Sequence, residues 1–421
     1  MRSLQHPTPP CRGSVLRGAA LLLIAGAAVA VVARADRPVA SDGLFQRLQR
    51  SVGRQLDAVE LTGGRRLVRP VLDGVTRQRG EVTALRLLTD PAAPPRTVQL
   101  SGVTRIVIDR EVVYDTGPTG DALRPGGARG RDAGGKEAAA SAARMRANGI
   151  EPWPAKTAAD HAAEVQKLEQ LVALVQRDFP GMRVETTHEF IFATDIPAGE
   201  VAGVVASLDR MHDLLCDLYD IPAGEPVWLG KCLVIAFLRE EDFHAFGKRI
   251  MGEIPAGVHG ACHQSPDGRV FVTCHKGSDQ LVFEHMIVHE TSHGFSHRWL
   301  SPVKLPNWLN EGIAEWIACQ VVPACRQVAA KEAKARALMA TTGSVGADFF
   351  TAKNIAGEQY GIASGLVRFM AGRDRRRFRS FVREIKEGAT VEDSLSASFN
   401  LSLDGLLTAY AGALALPALS R

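Results

Sequence analysis

The chain has 421 residues, 46% of them hydrophobic, with 50 basic against 46 acidic side chains. That length asks for two or three domains, and the apolar content excludes a largely disordered chain. The net charge of +4 is too small to suggest a nucleic-acid partner, which calls for a concentrated basic face.

Arg2, Arg12 and Arg17 precede an apolar stretch from Ala19 to Ala33, and Ala33-Arg34-Ala35 fits a small-x-small cleavage site. Residues 1–35 therefore read as an export signal, with an uncleaved membrane anchor as the alternative. The expected location is periplasmic or extracellular, and membrane contact is expected only through that anchor. Cys11 falls in the leader, leaving six cysteines. In an exported chain they permit disulfides. Cys262 with Cys274, flanking a turn at Pro266-Asp267-Gly268, is one candidate pair, and Cys319 with Cys325 is another.

Residues 42–56 repeat Leu44, Leu48, Val52 and Leu56 every four positions and read as a helix. Short β-rich runs follow up to Asp115, punctuated by Gly63-Gly64, Asp73-Gly74 and Pro94-Pro95. Residues 42–115 thus form a small β-rich domain, a sheet or barrel with an interaction or support role. Residues 116–148, rich in Gly, Ala, Arg and Asp, read as a linker. The remainder, 150–421, is a second domain. It opens with a helix over Ala158–Arg177, a strand over Thr186–Ala193 and a helix over Gly199–Leu218. A buried strand at Cys232–Leu238, a helix near Glu241–Ile250 and a hairpin at Val258–His275 come next. Helices follow at about 279–298, 307–320, 325–340 and 358–371. The basic run from Arg373 to Arg379 is expected on a solvated turn and helix start. Strands precede helices, so the fold class is α+β.

Within the helix from Gln280 to Arg298 stands His289-Glu290-Thr291-Ser292-His293. Histidines at i and i+4 share a helix face, so both imidazoles can reach one Zn²⁺. Glu290 lies on the neighbouring face, placed to take a proton rather than to coordinate. Glu311 lies 18 positions beyond His293, in Trp308-Leu309-Asn310-Glu311-Gly312-Ile313-Ala314-Glu315. A turn and an antiparallel return would bring it back as a third ligand, completing a site with an open position. Glu315, one turn further, can accept the free N–H of a ligand histidine. A helix with a plain histidine stripe, continued by His285 and His297, is the bland competitor, and the downstream Glu311 argues against it.

These motifs resemble the gluzincin metallopeptidases, and among them the peptidase-MA-like domains of exported bacterial proteins. The likeness spans roughly residues 185–412 and includes Asp242-Phe243, Tyr360-x-x-x-Ser364-x-x-x-Arg368-Phe369 and Phe399-Asn400-Leu401-Ser402-Leu403. It implies a mixed sheet followed by active-site helices, zinc ligands at His289, His293 and Glu311, and Glu290 as general base. A metzincin would need a glycine at Ser296 and a histidine at Trp299. The expected activity is zinc-dependent peptide-bond hydrolysis on a peptide or protein substrate. No histidine follows His297, so Tyr360 is the candidate oxyanion donor, with aromatic packing as its plain alternative. An edge strand around Gly257–Gln264 is expected to bind extended substrate, with Val258, His259, Gly260 and Ala261 in contact. It lacks an acidic residue to hold a free α-amine, which favours endopeptidase action. A second metal site at Cys262, His263, Cys274 and His275 is disfavoured, because neighbours on a strand face opposite ways. The competing function is a zinc-binding scaffold with little hydrolysis.

Overall fold

The computed structural model describes residues 40–61, 66–78, 81–89, 94–108, 111–115, 139–221, 225–250 and 257–421. The leader expected over 1–35, Gly63-Gly64 and residues 116–138 of the linker expected over 116–148 lie outside the described residues. No helix among those described is long and apolar enough to cross a membrane.

The N-terminal part begins with α1 (Ala40–Arg50), shorter than the helix expected over 42–56. The chain turns after Arg50, with Gly53 at φ +83°. Strands β1 (Ala58–Leu61), β2 (Arg66–Val68), β6 (Val103–Ile108) and β7 (Glu111–Asp115) form one antiparallel sheet in the order β2-β1-β6-β7. Strands β3 (Val71–Gln78), β4 (Glu81–Leu88) and β5 (Arg96–Gln99) form a second. Leu48, Leu56, Val59, Leu72, Leu85, Leu87 and Ile106 share one core. The expected β-rich unit is therefore two small sheets around a common interior.

The stretch assigned to linker ends in a helix, α2, over residues 139–147. Composition misled here because the segment is held by contacts made far along the chain. Met145 is buried, and Ser141 and Arg144 grip the buried carboxylate of Glu387.

The larger part is built on a five-stranded sheet. Its strands are β8 (Arg183–Thr186), β9 (Phe190–Thr194), β10 (Cys232–Phe237), β11 (Gly260–Gln264) and β12 (Val270–His275), in the order β11-β12-β10-β9-β8. The three central strands are parallel and both edges antiparallel. Helices α3 (Ala158–Asp178) and α5 (Glu240–Ile250) cover one face, over Ile191, Leu233, Ile235 and Phe237. Helices α4 (Ala198–Tyr219) and α6 (Gln280–Arg298) cover the other, over Phe190, Phe192, Val234 and Val272. Burial on both faces explains why β10 is apolar at every position.

Six more helices follow: α7 (Asn307–Val321), α8 (Gln327–Thr342), α9 (Gln359–Arg373), α10 (Arg375–Lys386), α11 (Val391–Phe399) and α12 (Leu403–Ala413). The basic run begins α10, capped by Asp374, as expected of a helix start. Its Arg379 is not merely solvated. It donates to the last carbonyls of α4, at Asp217 and Leu218, and pairs with Asp220 at 2.8 Å. The molecule is mixed α and β, with the sheet preceding the long helices, in agreement with the α+β expectation.

Candidate metal centre

Helix α6 starts at Asp279, whose carboxylate accepts from the N–H groups of Leu281 and Val282. It runs unbroken because its one interior glycine, Gly294, sits where the helix presses on β12. A Cβ there would collide with Val270. Thr291 and Ser292, the two central residues of the motif, turn their hydroxyls back to the carbonyls of Ile287 and Val288, both at 2.7 Å. Their burial thus leaves no hydroxyl unpaired, and His289 and His293 face away from that core side.

The chain then reverses and α7 returns across α6. Gly312 lets α9 pack close against α7, since any side chain there would strike the carbonyl of Ala363 on α9. Glu311, its neighbour, lands between the two histidines. The imidazole Nε2 atoms of His289 and His293 lie 3.1 Å apart. Glu311 Oε2 is 3.2 Å from the first and 3.3 Å from the second. These three ligand atoms gather within 4.8 Å, the one such group of three or more among the described residues. His289, His293 and Glu311 can hold a metal ion.

Charge in the site is arranged around Glu311. Burial would raise its carboxyl, but the two imidazoles outweigh burial and hold it well below the usual carboxylate range. Burial in turn opposes protonation of His293, yet Glu311 and the nearby Glu290 bring it up to about 9. Asn307 donates its side-chain amide to Glu311 Oε1 at 3.4 Å and leaves Oε2 to the histidines. Asn307 is fixed from behind by the Ile355 N–H at 2.6 Å.

Glu315 is almost fully buried, 2% exposed, one turn beyond Glu311. Its Oε1 lies 3.6 Å from His289 Nδ1, on the far side of that ring from the ligand atoms. Lys331 of α8 approaches the same oxygen at 2.5 Å and supplies the counter-charge. His285, also beside Glu315, is pushed by burial down to about 4 and stays neutral.

Glu290 does not join the ligands. Its Oε2 accepts the backbone N–H of Cys262 at 3.1 Å, which ties it to β11, the expected edge strand. His275 N–H donates to His259 O and Ser265 N–H to Arg269 O. The alternation therefore turns the backbone groups of Gly260, Cys262 and Gln264 onto the open edge. Of the four residues expected against substrate, Gly260 alone lies in β11 with its backbone on that edge. Val258 packs on the α5 side of the sheet, His259 bonds His275 at 3.0 Å, and Ala261 pairs inward with Thr273. The smallness of Gly260 serves α6, because a Cβ would strike Met286.

Tyr360 stands half-buried at the start of α9, with Lys331 Nζ 5.5 Å from its ring centre. Burial first, then the carboxylates of Glu311, Glu315 and Glu290, raise its hydroxyl to about 12. The six cysteines beyond the leader are all free. In the hairpin the register sets Cys262 opposite Val272 and Cys274 opposite Gly260, so the expected pair is offset by two residues. Cys262, His263, Cys274 and His275 do not converge either. His263 bonds Thr273 and stacks on Phe271.

No protein family's sequence profile matches the chain, and no curated protein is similar to it. The residues that sequence reasoning missed are Asn307 and Lys331. Asn307 stood one turn before Glu311, a spacing that brings side chains together on a helix. Lys331 had no such signal, since it reaches Glu315 across a helix–helix contact.

Proposed function

We propose that the chain is a zinc-dependent peptidase of gluzincin type, acting after export on peptide or protein substrates, as an endopeptidase. The observation that carries this reading is the convergence of His289, His293 and Glu311 beside a glutamate that is not a ligand. A scaffold site has no use for such a glutamate. Two imidazole nitrogens and one carboxylate oxygen are a donor set suited to zinc, and three protein ligands leave a position open. The α6–α7 reversal under a sheet edge also fits the gluzincin arrangement. Zinc held by these three residues supplies Lewis acidity towards water and the scissile carbonyl.

The chain's own residues do the rest. The open edge of β11 offers the backbone groups of Gly260 and Gln264, and the carbonyl of Cys262, whose N–H is held by Glu290, to an extended peptide. Glu290, held beside that edge, takes the proton of the attacking water and delivers it to the leaving amine. Tyr360 retains its proton at neutral pH and donates its hydroxyl to the developing oxyanion. Glu315 and Lys331 fix the His289 ring from behind.

The test compares wild type and Glu290→Gln on a peptide library, with metal content measured on both. The variant is expected to keep about one zinc per chain and to lose hydrolysis by about a hundredfold or more. Loss of zinc from the variant would make Glu290 structural. Two zinc-loaded proteins that cut nothing would favour the scaffold reading.

A further inference from the structure

A cavity of about 620 Å³ opens directly beside the candidate metal centre, within the size range of ligand sites. It shares His293 with the ligand set and Gln264 with the substrate-binding edge of β11. An occupant of it would lie beside the candidate metal centre and the open edge of β11.

Its lining is one-sided in charge. Lys304 and Lys353 both line it, and no aspartate or glutamate does. Neither ammonium group has an ion-pair or hydrogen-bond partner among the described residues, although most charged groups of this domain are paired. His297 also lines it and is kept neutral, by burial first and then by Lys386 and Lys304. Asn307 and Asn310 add amide groups from the first turn of α7. That turn carries no acidic residue and its N-cap, Pro306, offers no side-chain acceptor, so the positive end of α7 faces the same space. Leu305 and Ala352 give an apolar wall suited to a short methylene stem.

Resting on the peptidase reading, we propose that this cavity is a carboxylate subsite, and that Lys304 and Lys353 direct the enzyme to peptides with a carboxylate near the scissile bond. An aspartate or glutamate side chain and a free chain terminus both supply that group.

The test uses the full chain, zinc-loaded, as wild type, Glu290→Gln and Glu290→Gln with Lys304→Met and Lys353→Met. Both lysines are exposed, so their replacement leaves the fold alone. Fluorescent peptides come in matched pairs, Glu against Gln at each position flanking a cleavable bond, and free against amidated C-terminus. Binding is read by anisotropy on the Glu290→Gln proteins, and hydrolysis on wild type. The Glu peptide is expected to bind about three- to tenfold more tightly than its Gln partner at one position. That ratio should fall to near one in the double lysine variant and shrink with added salt. A preference confined to the free terminus assigns the subsite to a terminal carboxylate; one at an internal position assigns it to a side chain. A ratio near one for every pair, or a ratio that survives loss of both lysines, overturns the subsite. Hydrolysis without preference sinks the subsite and spares the peptidase. Lysine-dependent preference without hydrolysis supports the subsite and sinks the peptidase.

Discussion

Glu311 and His293 form a buried acid–base pair whose protons belong to the metal-free protein. With His293 raised to about 9 by its carboxylate neighbours, a metal must displace a proton to bind. Apparent zinc affinity should therefore rise about tenfold per pH unit from 7 to about 9 and level off above. Competition against a chelator of known pH dependence measures this, and a flat response would refute the coupling. The sign for stability is opposite. His293 has a folded pKa above its ordinary 6.5, so it stabilises the metal-free chain fully below 6.5. That contribution is lost as pH climbs through about 9. Tyr360 makes a separate prediction. It has a raised pKa and three carboxylates in its surroundings, so in the proposed mechanism it acts as a hydrogen-bond donor. Tyr360→Phe should lower kcat by roughly a hundredfold with little change in KM. An unchanged kcat would return it to packing.

At the level of elements, the site depends on how α6 is joined to α7, and α10 controls that joint. Lys386 is wholly buried, and burial pushes its amine down to about 7. It donates to the carbonyls of Ser296 and His297, at the end of α6, and of Val303, in the loop before α7. Lys386→Met would orphan three carbonyls at once. The expected cost is about 2–4 kcal/mol in denaturant unfolding, accompanied by weaker zinc binding. Unaltered zinc affinity at reduced stability would show that the joint does not set the ligand geometry. The residues of this joint show what the sequence could and could not reveal. His289, Glu290, His293 and Glu311 were legible because helix periodicity and one short reversal fix their relation. Lys386, Lys331 and the cavity lining were not, because each acts across a contact distant in sequence. Among strands, Asp73-Gly74 is expected to break the β-rich runs, yet it lies inside β3. The pair instead marks a bulge, where the register with β4 shifts between Leu72 and Gly74. Helix α2 was hidden by composition, since its anchor is Glu387, more than two hundred residues away.

For the molecule as a whole, the informative fact is that the N-terminal interior does not merge with those on either face of the five-stranded sheet. It lies between the N-terminal sheets, and one of the others runs from the five-stranded sheet through α12. Across the two parts Arg69 pairs with Asp209 at 2.6 Å, with the arginine 32% exposed. A partly exposed ion pair of this kind contributes about 0–1 kcal/mol, too little by itself to make two cores melt as one. Calorimetry should accordingly show two transitions. On the proposed reading zinc binds only the folded larger part, so zinc at a hundredfold excess over its Kd should stabilise that part by about 2.7 kcal/mol and leave the other transition in place. Leu72 is fully buried in the N-terminal interior. Leu72→Ala should therefore cost about 2–5 kcal/mol in the zinc-insensitive transition and leave the zinc-sensitive one unmoved. A single transition that shifts whole, with zinc and with Leu72→Ala alike, would mean that the N-terminal sheets are an integral wall of the larger part. Their role would then be to hold α4, and through it the sheet that positions β11.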